Sequence, residues 1–220
     1  LDAALEDGLR ARVDQALEVL RGLGAELVGV SLSATPDALS TYYVIAAAEA
    51  SSNLARFDGV RYGLRVEGDG SLAGMISATR EGGFGPEVKR RILLGPYVLS
   101  SGYRQDGYET AQRARRVVRD ELARALEEVD VLVGPTTPTP AFRLGEKTDD
   151  PVAMYASDVL TVPAALGGMP AVSVPCGFTS VDGVDLPVGL QVTAPALEEA
   201  RCLRVARAYQ AADPGASAPS

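Results

Sequence analysis

The segment Thr41–Gly63, TYYVIAAAEASSNLARFDGVRYG, constrains the fold more than any other part of this chain. A helix on the surface of a globular domain usually carries an apolar stripe and a charged face. Here small residues dominate: Ala46, Ala47, Ala48, Ala50, Ser51 and Ser52 come with few charges. Small side chains let neighbouring backbones approach, so the string predicts a helix buried on several sides. Phe57-Asp58-Gly59 then signals a turn into Arg61-Tyr62-Gly63.

The rest of the chain alternates between helical and extended patterns. Leu5, Leu9, Val13, Leu17 and Leu20 predict a first helix, ended by Gly22 and Gly24. Residues 26–32 (ELVGVSL) read as a strand, and a helix followed by a strand implies α/β layering. Thr35-Pro36-Asp37 is a start signal for the alanine-rich helix. A glycine-containing loop at 64–70 precedes a short helix over 71–79, a helix from Pro86 to about Ser100, bent near Gly95-Pro96, and a long charged helix over 107–128. Residues 129–133 (VDVLV) predict a short strand at a sheet centre, followed by a Pro/Thr loop. Residues 151–160 read as helix, 171–176 and 187–193 as strands joined through Asp182-Gly183, and 197–210 as a last helix. The expected fold is α/β, a mixed β-sheet flanked by helices. No repeat or internal boundary stands out, so 1–212 read as part of a single domain and 213–220 as a disordered tail.

Composition narrows the function. A net charge of −8 gives these 220 residues no general pull on nucleic-acid phosphates. Arg113, Arg115, Arg116 and Arg119 cluster, but Asp120, Glu121, Glu127 and Glu128 follow, which reads as a solvated helix face. Histidine is absent, so imidazole-based triads and metal sites are excluded. Cys176 and Cys202 stand far apart without a CxxC motif, which argues against structural zinc and fits a reduced cytosolic setting. No apolar run approaches the roughly 20 residues that cross a bilayer, so no membrane contact is expected. The chain starts at Leu1 inside a helical pattern, as a fragment would.

Further strings matter by their order: Phe84-Gly85 with 87–95 (EVKRRILLG), 134–142 (GPTTPTPAF), Asp149-Asp150-Pro151 through Ser157-Asp158, 170–177 (PAVSVPCG) and 186–191 (LPVGLQ). Together with Thr41–Gly63 they resemble the C-terminal half of the amidase signature family, over most of the chain. The resemblance implies the glutaminase component of a tRNA-dependent amidotransferase. Such a component hydrolyses glutamine and passes ammonia to partner subunits B and C. The first of these two partners would hold most of the tRNA, ATP and Mg would sit with the partner, and this chain would carry no cofactor. Glutamyl-tRNA(Gln) would be the acceptor, or aspartyl-tRNA(Asn) in some organisms. The family's Ser–cis-Ser–Lys triad belongs to a Gly/Ser-rich signature that these residues lack. Ser51-Ser52 is followed by Asn53, Ser100-Ser101-Gly102 lacks flanking glycines, and Lys89 and Lys147 sit in other motifs. No catalytic residue is assigned, and this chain alone is expected to be inactive.

What the half can supply is substrate recognition. Free glutamine presents a carboxylate and an ammonium beside its amide. Arginine's planar fork suits the carboxylate, and an aspartate suits the ammonium. The resemblance places these roles on Arg91 and Asp158, with Tyr42 lining the pocket through ring and hydroxyl. Read as residues alone, Arg90 and Arg91 point about 100° apart on a helix, so one of them normally serves as a surface residue with its stem on apolar neighbours. Asp158 also fits an ordinary helix position or a cap, and one of Tyr42 and Tyr43 can belong to the core. Gln191 reads as a structural hydrogen-bonder and the PTTPTP run as a wall at the sheet end. The run at 103–108, the loop Val181–Asp185, and Ser33–Asp37, which lacks the usual His and aromatic, depart from the family pattern at surface and docking positions. A stand-alone amidase of the same fold and a non-catalytic assembly module are the alternatives.

Overall fold

The computed structural model describes residues 5–100 and 107–213. The readings of Ser101, of 102–106 and of the tail beyond Asp213 lie outside them. In chain order the elements are α1 (Asp7–Gly22), α2 (Ala38–Asn53), α3 (Leu72–Gly83), α4 (Pro86–Leu99), α5 (Glu109–Glu128), β1 (Leu132–Pro135), α6 (Pro151–Ala156), α7 (Val162–Gly167), β2 (Ala171–Val181), β3 (Val184–Thr193) and α8 (Glu199–Ala212). They form two compact units. One takes the chain up to Leu39 and again from Arg115, and the other is Ser40–Ala114.

The first unit is an α/β layer. Its sheet has the order β1-β3-β2, with both pairings antiparallel. Asp182 (φ 51°) and Gly183 (φ 78°) close the β2–β3 hairpin as a two-residue turn with both central residues left-handed, which matches the twist of the strands. Alternation along the strands puts Val174, Cys176, Val188 and Leu190 on one face. Leu9, Val13, Ala16 and Leu20 of α1 and Ala206 and Tyr209 of α8 complete that core. Burial pushes the Cys176 thiol up to about 11, so it stays protonated and behaves as a small apolar residue. The exposed arginines of α5 fit the solvated face expected for them.

Small residues gather where the Pro/Thr loop meets the sheet. Thr136 N–H donates to the Gly189 carbonyl (2.9 Å), and the hydroxyls of Thr136 and Ser173 share a proton at 2.6 Å. A Cβ on Gly189 would lie 2.7 Å from both hydroxyl oxygens. Gly189→Ala is therefore expected to destabilise the chain by about 1–3 kcal/mol. A lower urea midpoint at unchanged m-value checks this, and an unchanged midpoint refutes it.

Two extended readings need correction. Pairing of β1 begins at Leu132, opposite Thr193, because Val129 N–H still closes a turn of α5 on Ala125. Among the described strands β1 lies at an edge of the sheet, not at its centre. Residues 26–32 form no strand. Val28 is 58% and Val30 40% exposed, and strand propensity without a neighbouring strand makes no ladder. The helix expected over 151–160 ends at Ala156 and gives way to turns. Prolines near the start and Gly168 (φ 71°) at the end then frame the short α7.

In the second unit the small residues of α2 have a direct explanation. Gly95 of α4 sits so close that a Cβ there would lie 2.2 Å from Ser51 Cβ and 2.7 Å from the Ala47 carbonyl oxygen. Thr41, Ile45, Ala47 and Ala48 are buried. After α2 the chain turns at Asp58, whose carboxylate accepts from the amides of Val60 (2.9 Å) and Arg61 (3.3 Å). Arg80 of α3 ties this turn down by donating to the carbonyls of Leu54 (2.8 Å) and Phe57 (3.2 Å).

Candidate functional site

The α2–α4 contact brings two of the expected residues together. Pro86 starts α4 at its first turn. One turn further, Arg91 Nη1 donates to the Tyr42 hydroxyl of α2 (3.3 Å), and Arg91 Nε donates to Glu87 Oε1 (2.9 Å). The guanidinium carbon lies 5.6 Å from the centroid of the Tyr43 ring, within cation–π range. Tyr42 and Tyr43 meet edge to face at 5.1 Å. Arg91 is thus held from three sides, with 27% of its side chain exposed. Partial burial opposes its charge, but the bonds to Glu87 and Tyr42 prevail and hold the pKa above the ordinary arginine value. A guanidinium has five N–H donors, so these two bonds do not exhaust it.

Glu87 is the residue sequence reading missed. It grips Arg91 at i+4 and also pairs with Arg90 at i+3, drawing Arg90 along the helix surface. The signal was present in the spacing, since Glu four residues before Arg is the favourable order on a helix. Two positive charges against one negative leave this group net cationic, as a carboxylate site requires.

Asp158 belongs to the other unit, in the turn between α6 and α7. Its carbonyl accepts from the amides of Thr161 (3.1 Å) and Val162 (3.0 Å), and the residue is exposed. Gln191 in the central strand donates to the Leu160 carbonyl (3.0 Å) and fastens this turn to the sheet, so it holds backbone, as the sequence suggested. Lys147 donates to Ser157 (3.0 Å), a pairing that superficially resembles an activated serine. Its ammonium also stands 4.3 Å from the Phe142 ring centroid, a contact that favours the charged form. A charged ammonium donates protons to hydrogen bonds and accepts none, so Ser157 has no base here.

A family model described as Amidase matches residues 2–203. The chain belongs to the amidase family. Among its amidase relatives, the A subunit of the glutamyl-tRNA(Gln) amidotransferase of Myxococcus xanthus is 52% identical over 206 residues, which are 94% of this chain and 42% of that protein. The protein of the same name from Acidobacterium capsulatum is 54% identical, over 94% of this chain and 43% of its own length. The chain therefore spans less than half the length of these relatives. The crystal structure of the corresponding Thermotoga maritima protein, again the A subunit of the glutamyl-tRNA(Gln) amidotransferase, matches at a TM-score of 0.67 and 36% identity, over 94% of this chain and 39% of that one. The α/β arrangement is thus that of part of the amidase fold. Among the described residues, no group of three His, Cys, Asp or Glu is placed to hold a metal ion, and no helix is long and apolar enough to cross a membrane.

Proposed function

We propose that this chain is the glutamine-binding portion of the amidase component of a tRNA-dependent amidotransferase. The observation that carries the reading is the Arg91 cluster: a cation fixed by Glu87, Tyr42 and Tyr43 and only partly exposed. An uncharged amide has no use for it. Arg91 takes the substrate carboxylate, Tyr42 lines the pocket, and Asp158 takes the ammonium. The names borne by the relatives support an assembly with further subunits, B and C, in which ammonia released from glutamine converts glutamyl-tRNA(Gln) to glutaminyl-tRNA(Gln) in the cytoplasm. ATP, Mg and most of the tRNA belong to the partners. The nucleophile lies outside these 220 residues, which alone are not the enzyme.

Substrate analogues test the charge pairing in the full-length protein. Glutaramate lacks the ammonium of glutamine, and 4-aminobutyramide lacks its carboxylate. Each is expected to lose about 10- to 100-fold in kcat/KM, as the loss of one charged hydrogen bond predicts. Equal turnover of 4-aminobutyramide and glutamine would exclude Arg91 as a carboxylate anchor and favour a stand-alone amidase of broader specificity.

A further inference from the structure

Residues 26–32 have a strand's sequence and exposure but no strand beside them. Val28 and Val30, two residues apart and so on one face of an extended chain, are among the exposed apolar side chains. Among the described residues, the backbone of 26–32 makes none of the bonds that join strands. Both ends are anchored. Ala25 N–H closes α1 on the Leu20 carbonyl (3.1 Å), and the Glu121 carboxylate accepts from the amides of Ser33 (2.6 Å) and Ala34 (2.9 Å). Hydrogen bonds from Ser33 and Ala34 keep that carboxylate ionised against the opposing effect of burial. The segment is thus stretched between fixed points with its ladder groups unused, the condition of a sheet edge that accepts another strand.

We propose that residues 26–32 are a docking edge for a β-strand supplied by polypeptide outside these 220 residues. The relatives supply the reason for choosing that occupant over a second copy. More than half of their length lies outside the matched region, since the chain spans 42% and 43% of the two relatives described. The incoming strand is extended and free of proline, with apolar side chains at alternate positions to cover Val28 and Val30.

Amide hydrogen exchange read by mass spectrometry tests this. It is run on the 220-residue chain at two concentrations, and on the chain fused behind the preceding part of the Myxococcus xanthus relative. In the chain alone the amides of 26–32 are expected to exchange within seconds at either concentration. In the fusion they slow by roughly 100-fold or more, and Val30→Pro removes the slowing. Unslowed exchange at 26–32 beside protected β2 and β3 amides overturns the proposal. Protection in the chain alone that grows with concentration also overturns it and assigns the edge to a second copy. If the fusion leaves β2 and β3 unprotected, the intact Myxococcus xanthus relative is read at the aligned residues, and rapid exchange there overturns the proposal as well.

Discussion

Gly95→Leu is expected to separate helices α2 and α4 and to abolish glutamine hydrolysis by the full-length protein. The Cβ alone would sit 2.2 Å from Ser51 Cβ and 2.7 Å from the Ala47 carbonyl oxygen. Backbone cannot step aside as a flexible side chain can, so the cost falls at or above the upper end of the overpacking range, about 3 kcal/mol. For a chain of this size that lowers Tm by roughly 6–12 °C. Tyr42 rides on α2 and Arg91 on α4, so their 3.3 Å bond is lost with the contact. Gly95→Ala gives a sharper test, because the sign is at stake. In an isolated helix this change stabilises by about 1 kcal/mol. Here it is expected to destabilise, and a raised Tm would show that the two helices do not meet at Gly95.

Arg91→Ala in the full-length protein is expected to raise KM for glutamine about 10- to 100-fold, the worth of a charged hydrogen bond of about 1.5–3 kcal/mol. The fold should survive, because Glu87 keeps Arg90 as a partner and no buried charge is stranded. Arg91→Lys retains the charge but not the planar fork that meets a carboxylate with two parallel bonds. It is expected to fall between wild type and alanine. Steady-state kinetics with glutamine decide the matter, with circular dichroism to confirm folding. A KM unchanged in Arg91→Ala would remove the carboxylate anchor from this site.

Local signals carried the readings that succeeded. The run of small residues in α2 announced a close neighbour, and Gly95 is that neighbour. Asp182-Gly183 announced the hairpin by its turn chemistry, and Ser71 capped α3 where a helix was expected. Tyr42 and Arg91 were legible through the family resemblance, and Arg91 over Arg90 is consistent with their different exposures, 27% against 48%. What failed depends on partners distant in sequence. The strand pattern of 26–32 was read correctly as composition, but a ladder requires a second strand that no local pattern can supply. The early start given to β1 came from counting Val129 as strand while α5 still held its amide. α7 was missed because six residues are too few for helical periodicity to stand out. Glu87 was overlooked because attention went to the cations, although its spacing marked it as the anion that fixes them.

The three-sided grip on Arg91 has a thermodynamic consequence. A free arginine side chain has rotamer freedom worth about 1.5–2 kcal/mol. Glu87, Tyr42 and Tyr43 remove much of that freedom when the chain folds, before any ligand arrives. A carboxylate meeting this guanidinium finds it already aimed, so little of the attraction is spent on ordering the side chain. Selectivity for a small, highly soluble amino acid then rests on rigidity as much as on charge.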